Sequence, residues 1–459
     1  MKMINYKYKL IVMISALTIL SSSCEKSLKI DPQNSVDARQ ALITSVDVKA
    51  ALVGAYTSAG LAGLYGGRLL VSTDLLGYDD DLAFYGTYQG YTELTNKNIV
   101  VNNGFVEAAW NAAYETINVC NIVLENLTKV ETLNIKKVEG EAKFLRGMIY
   151  FDLARSYGKA WNDTDGSPST NLAVPLILSS VKTDVIGPEE NKKRNTVAEI
   201  YAQAIMDLND AKVNLPAAND FFANKYAASA VLARIYLTQN DYVNAEAEAS
   251  IVMSGRFSLV TDFTQEWPSP IPASRVSNTV EDIFAIQVSN QAGVNSLNEV
   301  YATSNNGGRG EIEVQDAHFD LYEPGDVRAN FFYDDVFTGK HQNQYGNIKL
   351  IRLAEMYLIR AEARALKPTP DLAGALADLN IIRQRAGLPD FVGVTATDIF
   401  EAVKRERLVE FAFEGFRLFD LKRYKESVVG LPYNSTKLVF PIPQREIEAN
   451  PALLQNAGY

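Results

Sequence analysis

The chain has 459 residues, of which 47% are hydrophobic and 22% charged, so it is long enough to bury an ample core. Its formal net charge is −11 at pH 7. This charge argues against nucleic acid as a partner, because phosphate binding is driven by a basic surface.

The first 23 residues predict a secretory leader. Three lysines precede the apolar run 10–20, which is too short to span a bilayer. Small serines then stand directly before Cys24, as a lipoprotein signal peptidase requires, although Leu20 lies one position further from the cysteine than in the usual motif. We therefore predict that Cys24 carries a lipid; the alternative is conventional cleavage that leaves Cys24 unmodified. Residues 24–37 are interpreted as a polar tether, so the protein is expected to be anchored to a membrane without crossing it.

The first half of the mature chain predicts long amphipathic helices. Apolar residues recur at three- and four-residue intervals in each of them. Cys120 falls within one of these helices and is interpreted as a small buried hydrophobic residue, the only thiol left if Cys24 is lipidated. The helices on either side of the Gly-, Pro- and Ser-rich insertion 159–194 are interpreted as the two arms of one interrupted hairpin. The predicted helices are 45–59, 106–128, 139–157 and 196–215.

An unusual aromatic segment, residues 77–91, follows a glycine-rich break at 60–67. Tyrosines alternate there with glycines and acids, which is a poor composition for a core or a helix. Aromatic rings beside carboxylates and amides suit a sugar, because the C–H face of a pyranose packs on a ring while hydroxyls take hydrogen bonds. The alternatives are a loop that only covers the helices below, and a calcium site in 79–81, for which solvated acids are the preferred interpretation.

Two helical hairpins are predicted further along the chain. Residues 230–252 follow the spacing of a tetratricopeptide repeat, with the small residues Ala233 and Ala245 at the helix crossing. Residues 349–389 fit the same template, and their first helix is predicted to bury a stripe that begins at Ile351. Any pair of amphipathic helices produces such spacing, but two matches among other helical runs favour stacked hairpins.

Between these hairpins lies an irregular region, 256–345, with a predicted strand at 283–288. It contains Trp267 and Tyr301 and, shortly after the tyrosine, a polar, glycine-rich turn. Long irregular excursions from a compact scaffold tend to carry binding residues.

The segment 401–423 predicts one helix with an ion-pair network along it. Acids and arginines alternate there at three- and four-residue spacing, as in Glu406, Glu410, Glu414 and Arg417. The carboxylates do not predict an active site, because each has an arginine at helical distance and no base, nucleophile or metal cluster accompanies them. No catalytic residue, cofactor or metal site is predicted.

Several motifs in this order resemble the RagB/SusD family of Bacteroidota nutrient-binding outer-membrane lipoproteins. The resemblance covers nearly the whole mature chain. It rests on 144–147, 157–158, 207–216, 351–363 and 380–388, on the string RLVEFAFEGFRLFDLKR at 407–423, on FPIP at 440–443, and on the ending NP…QN…GY at 450–459.

The resemblance implies a mainly α fold with about four tetratricopeptide-like hairpins, a few short strands and an irregular ligand-binding region, expected here as one composite domain over 38–459. It also implies a lipid-anchored position on the surface of the outer membrane and a partner, a TonB-dependent SusC-like transporter, over which the protein acts as a lid that captures a nutrient, commonly an oligosaccharide. Cys24 matches the family's lipidated cysteine. The family's ligand residues are not part of its motifs.

The leading hypothesis is therefore capture of a glycan without catalysis. Delivery of a peptide or another non-sugar nutrient, a glycoside hydrolase and a plain helical-repeat adaptor are the alternatives. The ligand-binding residues predicted from the irregular excursions are Tyr78, Asp79, Tyr85, Tyr88, Tyr91, Trp267, Tyr301, Asn305, Asn306 and Arg309.

Overall fold

The computed structural model describes residues 42–181, 192–268, 276–290 and 294–459, and Thr44–Tyr459 form one compact unit. The predicted leader, Cys24 and the tether lie outside the described residues. The fold is mainly α-helical. Its α-helices are α1 (Ser45–Ala59), α2 (Arg68–Gly77), α3 (Gln89–Thr95), α4 (Gly104–Glu125), α5 (Ile135–Tyr157), α6 (Val197–Asn214), α7 (Lys225–Thr238), α8 (Tyr242–Met253), α9 (Ser296–Tyr301), α10 (Asp316–Phe319), α11 (Leu353–Leu366), α12 (Leu372–Arg385), α13 (Ala396–Glu410), α14 (Arg417–Tyr424) and α15 (Gln444–Ala449).

The strands are short and pair in antiparallel twos. They are β1 (Leu82–Phe84), β2 (Asp282–Ile286), β3 (Ile312–Val314), β4 (Phe332–Tyr333), β5 (Phe337–Thr338) and β6 (Ile348–Arg352). β1 pairs with β3, β2 with β6, and β4 with β5. All but β1 lie in the irregular region between α8 and α11, so two of the pairs hold that region to itself and the β1–β3 pair joins it to the segment between α2 and α3.

The helices stack as four antiparallel hairpins, α1–α4, α5–α6, α7–α8 and α11–α12, each packed against the next. Small residues make this close packing possible: Ala233 and Ala245 are completely buried, and a Cβ at Gly147 would lie 3.1 Å from the carbonyl oxygen of Ala204 across the α5–α6 contact. The predicted hairpins, including the one interrupted by the insertion at 159–194, are confirmed. Cys120 is fully buried, as predicted.

Ile351 does not begin a helix, contrary to the sequence-based prediction. It is the partner of Phe284 in the β2–β6 pair, and α11 starts two residues later at Leu353. A completely buried Ile351 is compatible with either a helix or a strand, because a short run of apolar residues shows no clear periodicity. Pairing with β2 decides in favour of the strand.

The single helix predicted over 401–423 is also wrong. α13 ends at Glu410, a turn follows, and α14 begins at Arg417. Phe413 (φ 65°) and Gly415 (φ 80°) have left-handed backbone conformations, which a continuing α-helix does not allow.

Glu406 and Glu410 of α13 and Glu414 of the turn are all buried, where they meet partners from other segments. Glu406 binds Arg328, Glu410 binds Arg328, Arg352 and Arg385, and Glu414 binds Lys340 and Arg352. The predicted network along one helix is therefore a three-dimensional one. We call it the buried ion cluster, and its members are Glu281, Asp326, Arg328, Lys340, Arg352, Arg385, Glu406, Glu410 and Glu414.

The buried ion cluster joins the irregular region to the C-terminal end of the helical stack. Arg328 and Lys340 come from the irregular region, Arg352 from the end of β6 and Arg385 from the end of α12. Every side chain in it is at most 5% exposed, so the ions depend on one another for the interactions that water would otherwise supply.

Candidate functional site

The pairing of β1 with β3 brings two predicted ligand-binding segments together. Phe84 lies opposite Ile312, and the backbone N–H of Tyr85 donates to the carbonyl oxygen of Glu311 at 2.8 Å. The chain leaving β1 toward α3 therefore runs beside the turn that enters β3. We call this face, formed by residues 84–88 and 304–311, the Tyr85 surface.

Arg309 and Tyr88 form the polar centre of the Tyr85 surface. The guanidinium carbon of Arg309 lies 4.6 Å from the centre of the Tyr88 ring, a cation–π contact. The same guanidinium lies 3.3 Å from Thr87 Oγ1 and 3.5 Å from the Tyr88 hydroxyl. These contacts join residues 221 positions apart in the chain.

Two carboxylates hold this pair in place. Glu311 accepts a hydrogen bond from Arg309 Nε at 2.6 Å, and the Tyr88 hydroxyl donates to Glu299 at 2.8 Å. The hydrogen bond to Glu299 raises the pKa of Tyr88, and the hydrogen bond with Glu311 raises the pKa of Arg309. The guanidinium therefore stays charged at physiological pH and can donate further hydrogen bonds, whereas the single proton of the Tyr88 hydroxyl is directed to Glu299.

The backbone at Gly86 allows the close approach of these groups. A Cβ at that position would lie 2.4 Å from Phe84 Cζ and 2.6 Å from Glu311 Oε2, both closer than real contacts permit. Tyr85, the neighbouring residue, is 64% exposed. The segment therefore presents an exposed tyrosine whose backbone adjoins a fixed set of donors and acceptors.

The remaining polar residues of the prediction lie at or near the surface. Asn305 is exposed in the same turn as Arg309, and Asn306 is half-buried with its amide donating to Thr303. Asp79 is exposed, and burial together with neighbouring Asp80 raises its pKa.

The acidic run at 79–81 is only partly solvated, which corrects the preferred interpretation. Asp81 is buried, accepts a hydrogen bond from the Asp79 backbone N–H at 3.0 Å and lies 3.7 Å from His318.

Four of the predicted aromatic residues lie in the interior instead. Tyr91 stacks on Phe105 with ring centres 4.0 Å apart, and Tyr78 stacks on Phe413. Tyr301 is completely buried, and Trp267 is 6% exposed. The structure therefore brings Tyr85, Tyr88 and Arg309 together, leaves Asn305 and Asn306 in the turn that precedes Arg309, and buries Tyr78, Tyr91, Trp267 and Tyr301 in the interior.

The comparisons with known proteins agree along the chain. A family model described as "Starch-binding associating with outer membrane" matches residues 32–237, and the SusD family model matches 327–433. SusD-like protein P2 of Formosa agariphila is 24% identical to this chain over 99% of it and 100% of that protein.

Solved structures extend this agreement to the fold. A putative sugar binding protein from Bacteroides vulgatus is 26% identical, has a TM-score of 0.78 and overlaps 91% of this chain and 99% of its own. A SusD superfamily protein from Bacteroides thetaiotaomicron has a TM-score of 0.79 at 23% identity, over 90% and 100% of the two chains. The chain belongs to the SusD/RagB family.

Three polar residues of this SusD/RagB surface were missed from the sequence. Glu311 stands two residues after Arg309, but Gly310 between them has a left-handed backbone (φ 62°), so the alternation of an extended strand does not predict their contact. Thr87 adjoins Tyr88 in sequence but carries no distinctive signal. Glu299 reaches Tyr88 only through tertiary structure.

No helix in the described part of the chain is long and apolar enough to cross a membrane.

The buried carboxyl group of Asp74, beside Tyr301, predicts that the stability of the fold depends on pH. The Tyr301 hydroxyl is one of its hydrogen-bond donors. It donates to Asp74 Oδ2 at 3.1 Å, and the Gly415 N–H donates to Asp74 Oδ1 at 2.9 Å. Burial raises the pKa of Asp74 from 3.8 to about 8. Between these values the folded protein keeps the proton and the unfolded chain releases it, so stability falls as pH rises, by up to about 1.4 kcal/mol per pH unit.

Asp74→Asn removes this titration while keeping the side chain's shape. We expect the free energy of unfolding of the variant, measured by urea denaturation, to improve relative to the unmodified protein between pH 5 and pH 8. Comparison of the two proteins at each pH cancels the contribution of other titrating groups. An unchanged difference across this range would show that Asp74 does not titrate there.

Proposed function

We propose that this protein is a cell-surface nutrient-binding lipoprotein that captures a glycan on the Tyr85 surface and delivers it to a TonB-dependent SusC-like transporter. The single observation that carries the glycan assignment is the exposed Tyr85 ring beside the hydrogen-bonding group of Thr87, Tyr88, Arg309 and Glu311. A pyranose presents C–H groups that pack on an aromatic face and hydroxyls that exchange hydrogen bonds with such groups.

Family membership supports the same role. One matching model is described as starch-binding and associated with the outer membrane, and one similar solved structure is that of a putative sugar binding protein. Transfer of the ligand to a transporter follows from the family and from the lipid anchor predicted at Cys24. In this proposal the helical hairpins act as the scaffold, and Tyr91, which packs edge-on against Tyr88 and Phe84, supports the surface from below. Tyr78, Trp267 and Tyr301 are buried residues of the interior.

The test starts with a panel of polysaccharides in affinity gels, followed by calorimetry with an oligosaccharide of the one that binds. We expect Tyr85→Ala and Arg309→Ala each to weaken binding by about tenfold to a hundredfold, since interface residues of this kind contribute about 1.4–2.8 kcal/mol. Tyr85 is exposed, so Tyr85→Ala should change the free energy of unfolding by less than about 0.5 kcal/mol. Arg309→Ala also removes the partner of the buried Glu311, and leaving that carboxylate without it should cost about 1–3 kcal/mol of stability, so binding of this variant is measured at a temperature where it is folded.

Matched variants separate a specific role from a general one. Tyr85→Phe keeps the aromatic face and should retain binding, whereas Arg445→Ala removes an exposed arginine from α15 and should bind as the unmodified protein does. Full binding by both Tyr85→Ala and Arg309→Ala would place the ligand elsewhere on the protein. Binding of peptides, but of no polysaccharide, would favour the non-sugar alternative.

The proposal is capture without hydrolysis. Glu299 and Glu311, the two carboxylates nearest Tyr88, are both held in hydrogen bonds with Tyr88 or Arg309, in positions that serve the binding surface. Incubation with the bound polysaccharide is expected to release no reducing sugar. Release that Glu311→Gln abolished would instead indicate a glycoside hydrolase.

The membrane anchor has its own test. Cys24→Ala is expected to move the protein from the outer-membrane fraction to the soluble fraction of cells, because no acyl chain can then attach. Cells lacking the transporter serve as the control for retention by a partner. Retention of the Cys24→Ala protein in membranes of those cells would contradict lipid attachment at this residue.

A further inference from the structure

A cleft of about 650 Å³ lies between residues 320–324 and the helices α13 and α14. This volume is within the range of small-molecule sites. Phe416 and Tyr424 line it, and so do four cations, Lys404, Arg405, Arg407 and Arg417. None of the residues of the Tyr85 surface lines this cleft.

Two of the four cations are already neutralised within the protein. Lys404 forms ion pairs with Glu401 and Glu426, and Arg407 forms a two-pronged pair with Asp420 at 2.9 and 3.1 Å. Arg407 still retains a buried Nη1 that has no hydrogen-bond partner among the described residues. Its pairing therefore leaves one donor of the guanidinium unused.

Arg405 and Arg417 are different, because neither forms an ion pair or a side-chain hydrogen bond within the described part of the chain. Arg417 is half-buried, and its Nε is shielded from solvent without a partner. Arg405 is exposed, so its guanidinium is open to a ligand. A buried donor without an acceptor costs free energy, so a ligand that supplies an acceptor is favoured there.

Most carboxylates of the cleft do not compete for these arginines. Asp420 is shared by Arg407 and Arg423, and Glu323 pairs with Arg383 at 2.7 Å. Glu401 and Glu426 share Lys404, which leaves Asp320 as the lining carboxylate without an ion pair among the described residues. The uncommitted charge of the cleft is therefore two guanidiniums against one carboxylate.

We infer that this cleft is a second ligand site, which binds a saccharide carrying a carboxylate, that is, a uronic acid residue. Guanidinium groups match a carboxylate through paired, charge-assisted hydrogen bonds, and the aromatic walls suit the apolar face of a sugar ring. The saccharide class rests on the proposed function, whereas the carboxylate follows from Arg405 and Arg417. This site would select acidic glycans, whereas the Tyr85 surface does not require the glycan to carry a carboxylate.

The experiment uses the mature protein, calorimetry and an oligogalacturonate, with the same oligomer methyl-esterified as the neutral probe. We expect the acid to bind and the ester to bind at least about tenfold more weakly, which is the effect of losing a charge-assisted hydrogen bond. Arg405→Ala should weaken the acid about tenfold, and Arg405→Ala combined with Arg417→Gln should weaken it further. Arg445→Ala, which removes an exposed arginine elsewhere, should leave its affinity unchanged.

The outcomes separate this site from the Tyr85 surface. Tyr85→Ala should weaken binding of a neutral glycan and leave binding of the acid at the cleft intact, which tests the proposed function. The arginine variants should weaken binding of the acid and leave binding of the neutral glycan intact, which tests the cleft. Equal affinity for acid and ester, or full acid affinity in the double variant with unchanged thermal unfolding, would overturn the inference. Displacement of the acid by equimolar sulfate, or binding of an acidic peptide in its place, would overturn the saccharide assignment.

Discussion

Replacing Glu410 with alanine is expected to lower the free energy of unfolding by about 3–5 kcal/mol, the usual effect of removing one partner from a buried ionic group. Its carboxylate lies 2.5 Å from Arg385, 3.0 Å from Arg352 and 3.1 Å from Arg328, and its side chain is completely buried. Each arginine would lose an acceptor that water cannot replace. Urea denaturation followed by circular dichroism measures the effect.

Two further variants serve as controls for Glu410→Ala. Glu401→Ala removes an exposed carboxylate from the same helix and should cost less than about 1 kcal/mol, because exposed ion pairs contribute little. Glu410→Gln keeps the shape and loses the charge, so its effect should be intermediate. Stability of Glu410→Ala close to that of Glu401→Ala would show that the cluster is energetically dispensable.

Acid should weaken the same cluster. Burial alone would raise the pKa of Glu410, but Arg385, Arg352 and Arg328 outweigh it and hold the pKa well below its usual value. The stability that this group contributes is therefore present above the usual carboxyl pKa near 4.3 and is lost as pH falls through the lower, folded-state value. Glu410→Gln should show a smaller loss of stability on acidification than the unmodified protein.

Trp267→Ala is the second large effect, with an expected loss of about 3–5 kcal/mol of stability from the cavity left by the indole. The ring lies 5.2 Å from Lys340 Nζ and 5.4 Å from both Lys349 Nζ and the guanidinium carbon of Arg352. It therefore covers cations beside and within the buried ion cluster. Without the indole ring, the side chains of these three cations can change position. A cavity also remains in a region whose described residues include no long helix to pack against it.

This prediction also tests the role assigned to Trp267 from the sequence. Tyr85→Ala, at a 64% exposed position, is the control and should unfold as the unmodified protein does. If Trp267→Ala retained full stability and lost glycan binding, the tryptophan would contact the ligand after all. Circular dichroism is the appropriate probe, because the substitution changes the tryptophan fluorescence directly.

Local pattern determined much of the scaffold. α1 was predicted at its observed bounds, since its apolar residues recur at helical spacing within one short stretch. The paired helices of each hairpin and the burial of Cys120 follow from the same period of 3.6 residues. Family motifs then indicated how many hairpins to expect.

Tertiary structure decided which aromatic residues reach the surface. Tyr85 and Tyr91 belong to the same tyrosine-rich segment, yet one is 64% exposed and the other 1% exposed. The difference arises because Phe105 stacks on Tyr91, while β3 holds the chain at Tyr85 against the turn of Arg309. The periodicity of apolar residues in the sequence does not predict such long-range contacts.

The same distinction holds for charge. The sequence by itself identified Glu406, Glu410 and Glu414 as members of an ion network, because acids and arginines alternate there. Arg328, Lys340 and Arg352 lie 58 to 82 residues before these acids in the chain, and Arg385 lies 25 residues before Glu410. Spacing along a chain reports the neighbours within one helix, whereas the burial of a charge depends on which distant segments pack around it.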